Sequence, residues 1–188
     1  MYYTFNMTDD TSLAFIDEFE GITRPWDLDE GIRMGHNFPS TVKAYLDKRY
    51  GDLLTDYLSN TSGLIPISEK MKAVFEEMGL NEKRVEYLPF ELYNLKRRKV
   101  KKQYYIANAL EKIYCIDQSE SELSFNSLNK INDIEVLYLE HRRIPQESHF
   151  FRLAEAPKYI VISDALVNKL KTSNISGMEL IPEGMDLW

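Results

Sequence analysis

The chain contains one short structural pattern twice, and this repeat limits the folds open to it more than any other feature. Segments 65–69 and 160–164 each combine aliphatic residues with a serine and an acid, and each precedes an amphipathic run. In both copies a second apolar stretch follows and ends at a proline, Pro89 or Pro182. Each copy therefore predicts a strand, a helix and a second strand.

The two helices carry local start signals. Ser68 is a favourable N-cap because its hydroxyl can accept a hydrogen bond from an unpaired amide of the first turn, and the acid at Glu69 suits the helix dipole. An apolar face follows at helical spacing, formed by Met71, Val74, Phe75 and Met78, before Gly79. The second copy repeats these features with Ser163, Asp164, Leu166, Val167 and Leu170. We expect both helices to cover a sheet.

The rest of the chain favours strands. Residues 41–46, 85–93, 104–110, 134–139 and 150–153 have strand-like composition, whereas 118–130 is polar and predicts a connection. We predict an α+β fold with a mostly antiparallel sheet and two Ser-capped helices. Residues 1–40 are expected to form strands and loops packed on the core, and residues 41–188 the main domain of a single globular unit.

Composition restricts the class of protein further. A chain of 188 residues that is 44% hydrophobic can bury a sizeable core. A single cysteine, Cys115, rules out an internal disulfide and is expected to be a buried apolar residue. The N-terminus shows no signal peptide and no window is apolar enough for a membrane helix, so we expect a cytoplasmic protein.

Charge is distributed unevenly along the chain. The net charge is −7, and residues 1–40 hold eight acidic and two basic residues. In contrast, segment 96–102 holds six basic residues in seven positions. This distribution makes a basic partner the simplest electrostatic expectation. The basic segment itself is typical of a solvated hairpin loop, although clustered Lys and Arg also favour nucleic-acid binding.

The acidic front also contains apolar residues, including Phe19, Ile22, Trp26 and Leu28. Aromatic anchors surrounded by charge are typical of protein interfaces. We therefore predict a partner-binding surface whose residues are Asp17, Glu18, Glu20, Trp26, Asp27, Asp29 and Glu30. An edge segment whose Trp26 packs on the core is the alternative interpretation.

The sequence contains few residues in the patterns that are typical of catalytic or metal sites. The three histidines, His36, His141 and His149, have no metal-ligand spacing, and the chain lacks a phosphate-binding glycine loop and a nucleophile elbow. We expect no enzymatic activity, no metal and no cofactor.

The order of these segments resembles the Imm11 immunity protein family of bacterial polymorphic toxin systems, over about residues 42–183. The resemblance is carried by Asp56-Tyr57-Leu58, Ile67-Ser68-Glu69, Tyr104-Tyr105-Ile106 with Asn108, Asp117 with Ser121, Phe151-Arg152-Leu153, and Ile162-Ser163-Asp164 with Gly177. It implies an α+β protein that binds and neutralises a cognate toxin, commonly a cytoplasmic nuclease. No catalytic residues accompany it.

Two other function classes remain open from the sequence. One is a nucleic-acid-binding or regulatory module that uses segment 96–102, and the other is an enzyme whose site is assembled from scattered residues. We expect the partner to be a toxin domain, with nucleic acid and membranes disfavoured, and the protein itself to be a monomer or weak homodimer.

Overall fold

Strands dominate the fold. The computed structural model describes residues 1–187. The strands in chain order are β1 (Tyr2–Asn6), β2 (Phe15–Glu20), β3 (Lys43–Leu46), β4 (Ser59–Asn60), β5 (Pro66–Ser68), β6 (Val85–Tyr93), β7 (Tyr104–Ala109), β8 (Lys112–Ile113), β9 (Glu122–Phe125), β10 (Ile131–Val136), β11 (Phe150–Leu153), β12 (Ala156–Ser163) and β13 (Glu179–Pro182). The helices are α1 (Pro25–Asp29), α2 (Glu69–Glu77) and α3 (Asp164–Thr172). Single 3-10 turns lie at Gly35–Asn37 and His141–Arg143.

The strands form two sheets and a hairpin. One sheet has the order β13-β1-β12-β11-β8, and the other has the order β4-β2-β3-β6-β7-β5. The hairpin pairs β9 with β10. Most pairs are antiparallel, and the parallel ones are β2 with β4, β3 with β6 and β8 with β11. These features confirm the α+β class with a mostly antiparallel sheet.

Both predicted segments run strand, helix, strand in the structure, although β6 continues past Pro89 to Tyr93, whereas β13 ends at Pro182 as predicted. In the first, β5 and β6 lie on either side of β7 and each pairs with it in antiparallel fashion. In the second, β12 and β13 lie on either side of β1 with the same antiparallel pairing. Each helix therefore connects two parallel strands that have a third strand inserted between them, and the inserted strand comes from elsewhere in the chain.

The six-stranded sheet closes on itself. Tyr57 pairs with Ile67 of β5, and the amide of Leu58 donates to the carbonyl of Pro66 at 3.2 Å. Two residues later the same segment forms β4 and pairs with β2 at the other edge. The enclosed core includes Ile16, Phe90 and Tyr104, all buried.

Alternating residues of the five-stranded sheet fill two further cores, because successive strand side chains point to opposite faces. Phe150 and Ile162 join the core beneath α2 and α3. Their neighbours Phe151 and Val161 pack on the opposite side, under β10 and the segment around Cys115. The near-continuous apolar sequence of β12 thus reflects burial on both faces.

The first 40 residues contribute β1 to one sheet and β2 to the other. They also contain α1, a single helical turn that the glycine and proline pattern did not predict. Its Leu28 is fully buried.

The polar segment 118–130, expected to be a connection, contains strand β9, so that prediction was wrong. β9 is short, and Leu123 packs on a core while Phe125 is exposed.

Both helix caps involve serine hydroxyls. Ser68 Oγ accepts from the amide of Met71 at 3.2 Å, and Ser163 Oγ accepts from the amide of Leu166 at 3.3 Å. Ser68 also donates to Asp56 Oδ1 at 2.7 Å. The cap of α2 is therefore part of a larger buried network.

Asp56 is the centre of that network. Its carboxylate accepts hydrogen bonds from Ser68 Oγ, from Lys102 Nζ at 3.1 Å, and from the amide and hydroxyl of Ser176 at 3.2 and 3.1 Å. Burial raises the pKa of Asp56, but these hydrogen bonds and the Lys102 charge lower it more, so the pKa lies below its ordinary value. Asp56 thus joins the start of α2 to the segment after α3.

Gly177 fits closely in the same region. Its φ is +85°, and a Cβ there would lie 2.4 Å from Thr55 Oγ1 and 2.5 Å from the carbonyl oxygen of Tyr57. Glycine is therefore required for the chain after α3 to approach residues 55–57.

We predict that Ser68→Ala lowers the free energy of unfolding by about 1–2 kcal/mol, because the cap of α2 and one hydrogen bond to Asp56 are both lost. Urea unfolding measures the change. Ser62→Ala is the control, since Ser62 is exposed and its hydroxyl has no hydrogen bond among residues 1–187. Equal stability of the two variants would contradict the prediction.

We predict that Asp56→Asn destabilises the protein most near neutral pH and progressively less in acid. Because the folded-state pKa of Asp56 is lower than the unfolded-state pKa, the carboxylate stabilises the fold above that unfolded value. This contribution is lost as the pH falls through the folded-state pKa. Urea unfolding of wild type and variant between about pH 7 and pH 3 measures the effect. A stability difference that does not change with pH would contradict it.

Candidate partner-binding surface

The predicted acidic front is divided between two places in the fold. Asp17, Glu18 and Glu20 lie on β2, which ends where the chain turns at Gly21 with a φ of +99°. Trp26, Asp27, Asp29 and Glu30 lie in or directly after α1. The surface predicted as one continuous segment is thus presented by a strand and by a separate helical turn.

The β2 acids lie beside the basic loop. Glu20 accepts a hydrogen bond from the hydroxyl of Tyr45 at 2.9 Å, and Glu18 lies 4.0 Å from the guanidinium of Arg97. That guanidinium also lies 4.1 Å from the centroid of the Tyr45 ring. These contacts use part of the negative charge of β2 within the chain itself.

The basic segment 96–102 forms the loop of the β6–β7 hairpin, which confirms the hairpin interpretation. Three of its charges have ion pairs: Arg97 with Glu18, Lys99 with Glu91, and Lys102 with Asp56. Within residues 1–187, Lys96, Arg98 and Lys101 form no ion pair. Half of the charge that a phosphate backbone would attract is therefore already neutralised.

The α1 turn separates its residues by environment. Asp27 is only 6% exposed, and its carboxylate is held by the guanidinium of Arg24, with Nε 2.9 Å from Oδ2 and Nη2 3.1 Å from Oδ1. Trp26 points the other way and is 58% exposed. Asp27 therefore helps to form the turn, whereas Trp26 is available to a partner.

A buried arginine positions the segment that follows α1. Arg152 of β11 is 4% exposed, and its guanidinium donates to the carbonyl oxygens of Ala109 at 2.9 Å, Asp29 at 3.0 Å and Pro157 at 2.7 Å. Burial lowers the pKa of Arg152 to about 10, which leaves it charged at neutral pH. The carbonyl of Asp29 is thereby held by the same side chain of β11 that donates to Ala109 at the end of β7.

Neighbouring groups complete this buried network. Arg152 Nη2 lies 3.4 Å from Asn108 Oδ1, and Asn108 Nδ2 donates to the carbonyl of Ile32 at 3.0 Å and to Glu86 Oε2 at 3.2 Å. Gly31 has a φ of +60°, and a Cβ there would lie 2.6 Å from Arg152 Nε. A side chain at position 31 would therefore displace the guanidinium.

A cleft of about 860 Å³ opens beside α1. Three aromatic side chains from distant parts of the chain line it: Trp26, Tyr114 and Phe125, with exposed fractions of 58, 69 and 48%. Asp29, Glu30 and Glu155 supply carboxylates to its lining, and Lys130 and Lys158 supply ammonium groups. Exposed aromatic residues around an open cleft are typical of a protein-binding surface.

The cleft includes residues that the sequence did not identify. Tyr114 follows the short strand β8, and Phe125 ends β9 within the segment expected to be a connection. An aromatic residue in a Ser-, Asn- and Glu-rich stretch was the available signal for Phe125. Tyr114 lies next to the buried Cys115 and had no distinguishing pattern.

The structure gives the environment of the histidine, cysteine and acidic residues in the part of the chain that it describes. No group of three or more His, Cys, Asp and Glu residues there could hold a metal ion. Burial raises the pKa of the Cys115 thiol to about 12, so it is protonated at neutral pH. His149 Nδ1 lies 2.8 Å from Ser163 Oγ, but that hydroxyl caps α3, and neither residue lines the cleft.

Among residues 1–187, no helix has the length and apolar character needed to cross a membrane.

We predict that Arg152→Met lowers the free energy of unfolding by about 3 kcal/mol or more, because several buried acceptors lose their donor. Hydrogen exchange at the amides of residues 29–35 should accelerate more than exchange in β12, since the Asp29 carbonyl loses its anchor. Arg142→Met is the control, because Arg142 is exposed and its ion pair among the described residues is with Glu140. Unchanged exchange at residues 29–35 in a folded Arg152 variant would contradict the anchoring role.

Comparison with known proteins now identifies the family. No curated protein matches the chain. The model of an immunity protein family, Imm11, matches residues 7–184, so the match begins well before the position near residue 42 suggested by the motifs. Several motif residues, among them Asp56, Ser68, Asn108 and Arg152, belong to the two buried networks described above. Because the match covers nearly the whole chain, this protein belongs to the Imm11 immunity protein family.

Proposed function

We propose that this protein neutralises a cognate bacterial toxin by stoichiometric protein–protein binding. Family membership supports an immunity function against a toxin. The aromatic-lined cleft beside α1 is the observation that supports a binding mechanism, because it offers exposed anchor residues on a rigidly held segment. We further propose that the toxin is a nuclease acting in the cytoplasm, and that the immunity protein is a monomer or weak homodimer.

The acidic balance of the chain fits a basic partner. Nucleases carry positive charge where they bind nucleic acid, and an acidic inhibitor gains association rate from long-range attraction. A nucleic-acid-binding role for segment 96–102 is the weaker alternative, since three of its six charges pair within the chain. Retention on heparin at moderate salt, unchanged by added toxin, would favour that alternative.

The direct test is co-expression with a candidate cognate toxin domain, sought first among the genes that neighbour this one. We expect protection of the host cell and recovery of a one-to-one complex on size-exclusion chromatography. Failure to protect, together with no complex between the purified proteins, would contradict the proposed function.

The surface proposal makes a kinetic prediction for Trp26→Ala. Buried aromatic anchors contribute on the order of 2 kcal/mol or more to an interface, so dissociation should accelerate by about 30-fold with little change in the association rate. Surface plasmon resonance with an inactivated toxin measures both rates. Leu53→Ala is the matched control, because Leu53 has a similar exposed fraction of 59% and does not line the cleft.

Reversing the charge of exposed acids on this surface should change mainly the association rate. Replacing the exposed acids Asp17, Glu18, Glu20 and Glu30 by lysine should slow association and flatten its dependence on salt, because exposed charges at an interface act mainly through steering. Asp27 is left unchanged, since it pairs with Arg24 within α1. Association and dissociation rates that match wild type would place the interface elsewhere, with the loop 96–102 the next surface to test.

A further inference from the structure

Among the described residues of the cleft, the carboxylate of Asp29 and the ammonium of Lys130 form no ion pair. Among the described residues, Asp29 has no side-chain hydrogen bond and no ion pair, whereas Glu30 faces Lys112 at 3.9 Å. Glu155 accepts from the amide of Ile116 through Oε1 at 3.2 Å, but its buried Oε2 has no hydrogen-bond partner. Lys158 is engaged by Asp133 at 3.5 Å. Because Glu155 Oε2 is buried, the carboxylate of Asp29 is the one that remains available to a cation in the cleft.

Asp29 is unusual because its carboxylate is partly buried and still lacks a hydrogen-bond donor among the described residues. The residue is partly buried, and burial raises its pKa despite the opposing charge of Arg152. Arg152 cannot serve as a direct partner, because its guanidinium donates to carbonyl oxygens and to Asn108. A partly buried carboxylate without a donor is costly, so an incoming cation at this position gains more than it would at an exposed acid.

The aromatic lining selects among cations. Trp26, Tyr114 and Phe125 present exposed rings to the cleft. A guanidinium stacks on aromatic faces and offers five N–H donors in one plane, whereas an ammonium is a strongly hydrated point charge. The combination of exposed aromatic rings with the unpaired carboxylate of Asp29 therefore suits arginine better than lysine.

We propose that the cleft receives an arginine side chain of the toxin, which pairs with Asp29 and packs against Trp26. This inference rests on the proposed function and names the chemistry of the contact. An anionic ligand such as a nucleotide is disfavoured beside Trp26, because it would approach the unpaired carboxylate of Asp29.

The first experiment measures binding of an inactivated toxin domain to wild type, Asp29→Asn and Asp9→Asn. Asp9 is the matched control because it is exposed, has no ion pair in the part of the chain that the structure describes and does not line the cleft. We expect Asp29→Asn to weaken binding by about tenfold or more and Asp9→Asn by less than about twofold. Asparagine preserves shape, and a thermal unfolding scan checks that the variant is folded.

The second experiment uses the tripeptide acetyl-Gly-Arg-Gly-amide as a probe, with the citrulline tripeptide as its neutral, nearly isosteric control. In NMR titrations up to about 10 mM, the arginine peptide should shift the Trp26 indole resonance and amides of the cleft, and the citrulline peptide should not. Asp29→Asn should remove these shifts.

The outcomes separate this inference from the proposed function. If the toxin binds the Asp29 variant as tightly as wild type, or if citrulline and arginine peptides behave alike, the arginine contact is wrong while the immunity function stands. If no toxin complex forms with wild type, the proposed function fails, and cleft shifts with the arginine peptide alone would not rescue it.

Discussion

The buried guanidinium of Arg152 links three segments that are far apart in the sequence, namely β11, the end of β7 and the end of α1. It extends from the five-stranded sheet to the carbonyl of Ala109 in the six-stranded sheet and to the carbonyl of Asp29 after α1. A buried charge is tolerated only when its donors are satisfied, so the three segments must keep one relative arrangement. The position of the candidate binding surface follows from this constraint, because α1 and one wall of the cleft are held by the same hydrogen bonds.

A second polar centre organises the two helices. The Asp56 carboxylate accepts hydrogen bonds from the hydroxyl of Ser68, which caps α2, and from the amide of Ser176, which follows α3. It also accepts one from Lys102 at the end of the basic loop. Both helices lie over one apolar core shared by the two sheets. The helices thus depend on a carboxylate that belongs to neither of them, and the close approach at Gly177 allows the second segment to reach it.

Positive and negative charges in this protein are concentrated in separate segments, and many of them pair with neighbouring residues. A net charge of −7 describes neither the basic loop, half of which is paired with its own acids, nor the acidic front, which is divided between β2 and α1. Partner selection would then depend on which charges remain unpaired in a desolvated site, because exposed pairs contribute little. The carboxylate of Asp29 is of this kind, whereas that of Asp27 already pairs with Arg24.

The sequence alone determined the elements whose signals are local. The serines at 68 and 163, the apolar spacing after each of them and the apolar strand at 150–153 are short-range patterns, and the corresponding helices and strand lie where these patterns predict. The short strand β9 and the single turn α1 were missed, since a polar hairpin and a turn that begins at a proline leave weak periodicity. Tertiary structure decided the rest: Trp26, Tyr114 and Phe125 meet at one cleft although they are far apart in the chain. Such contacts depend on how the sheets pack, and packing between distant segments leaves no period in the sequence.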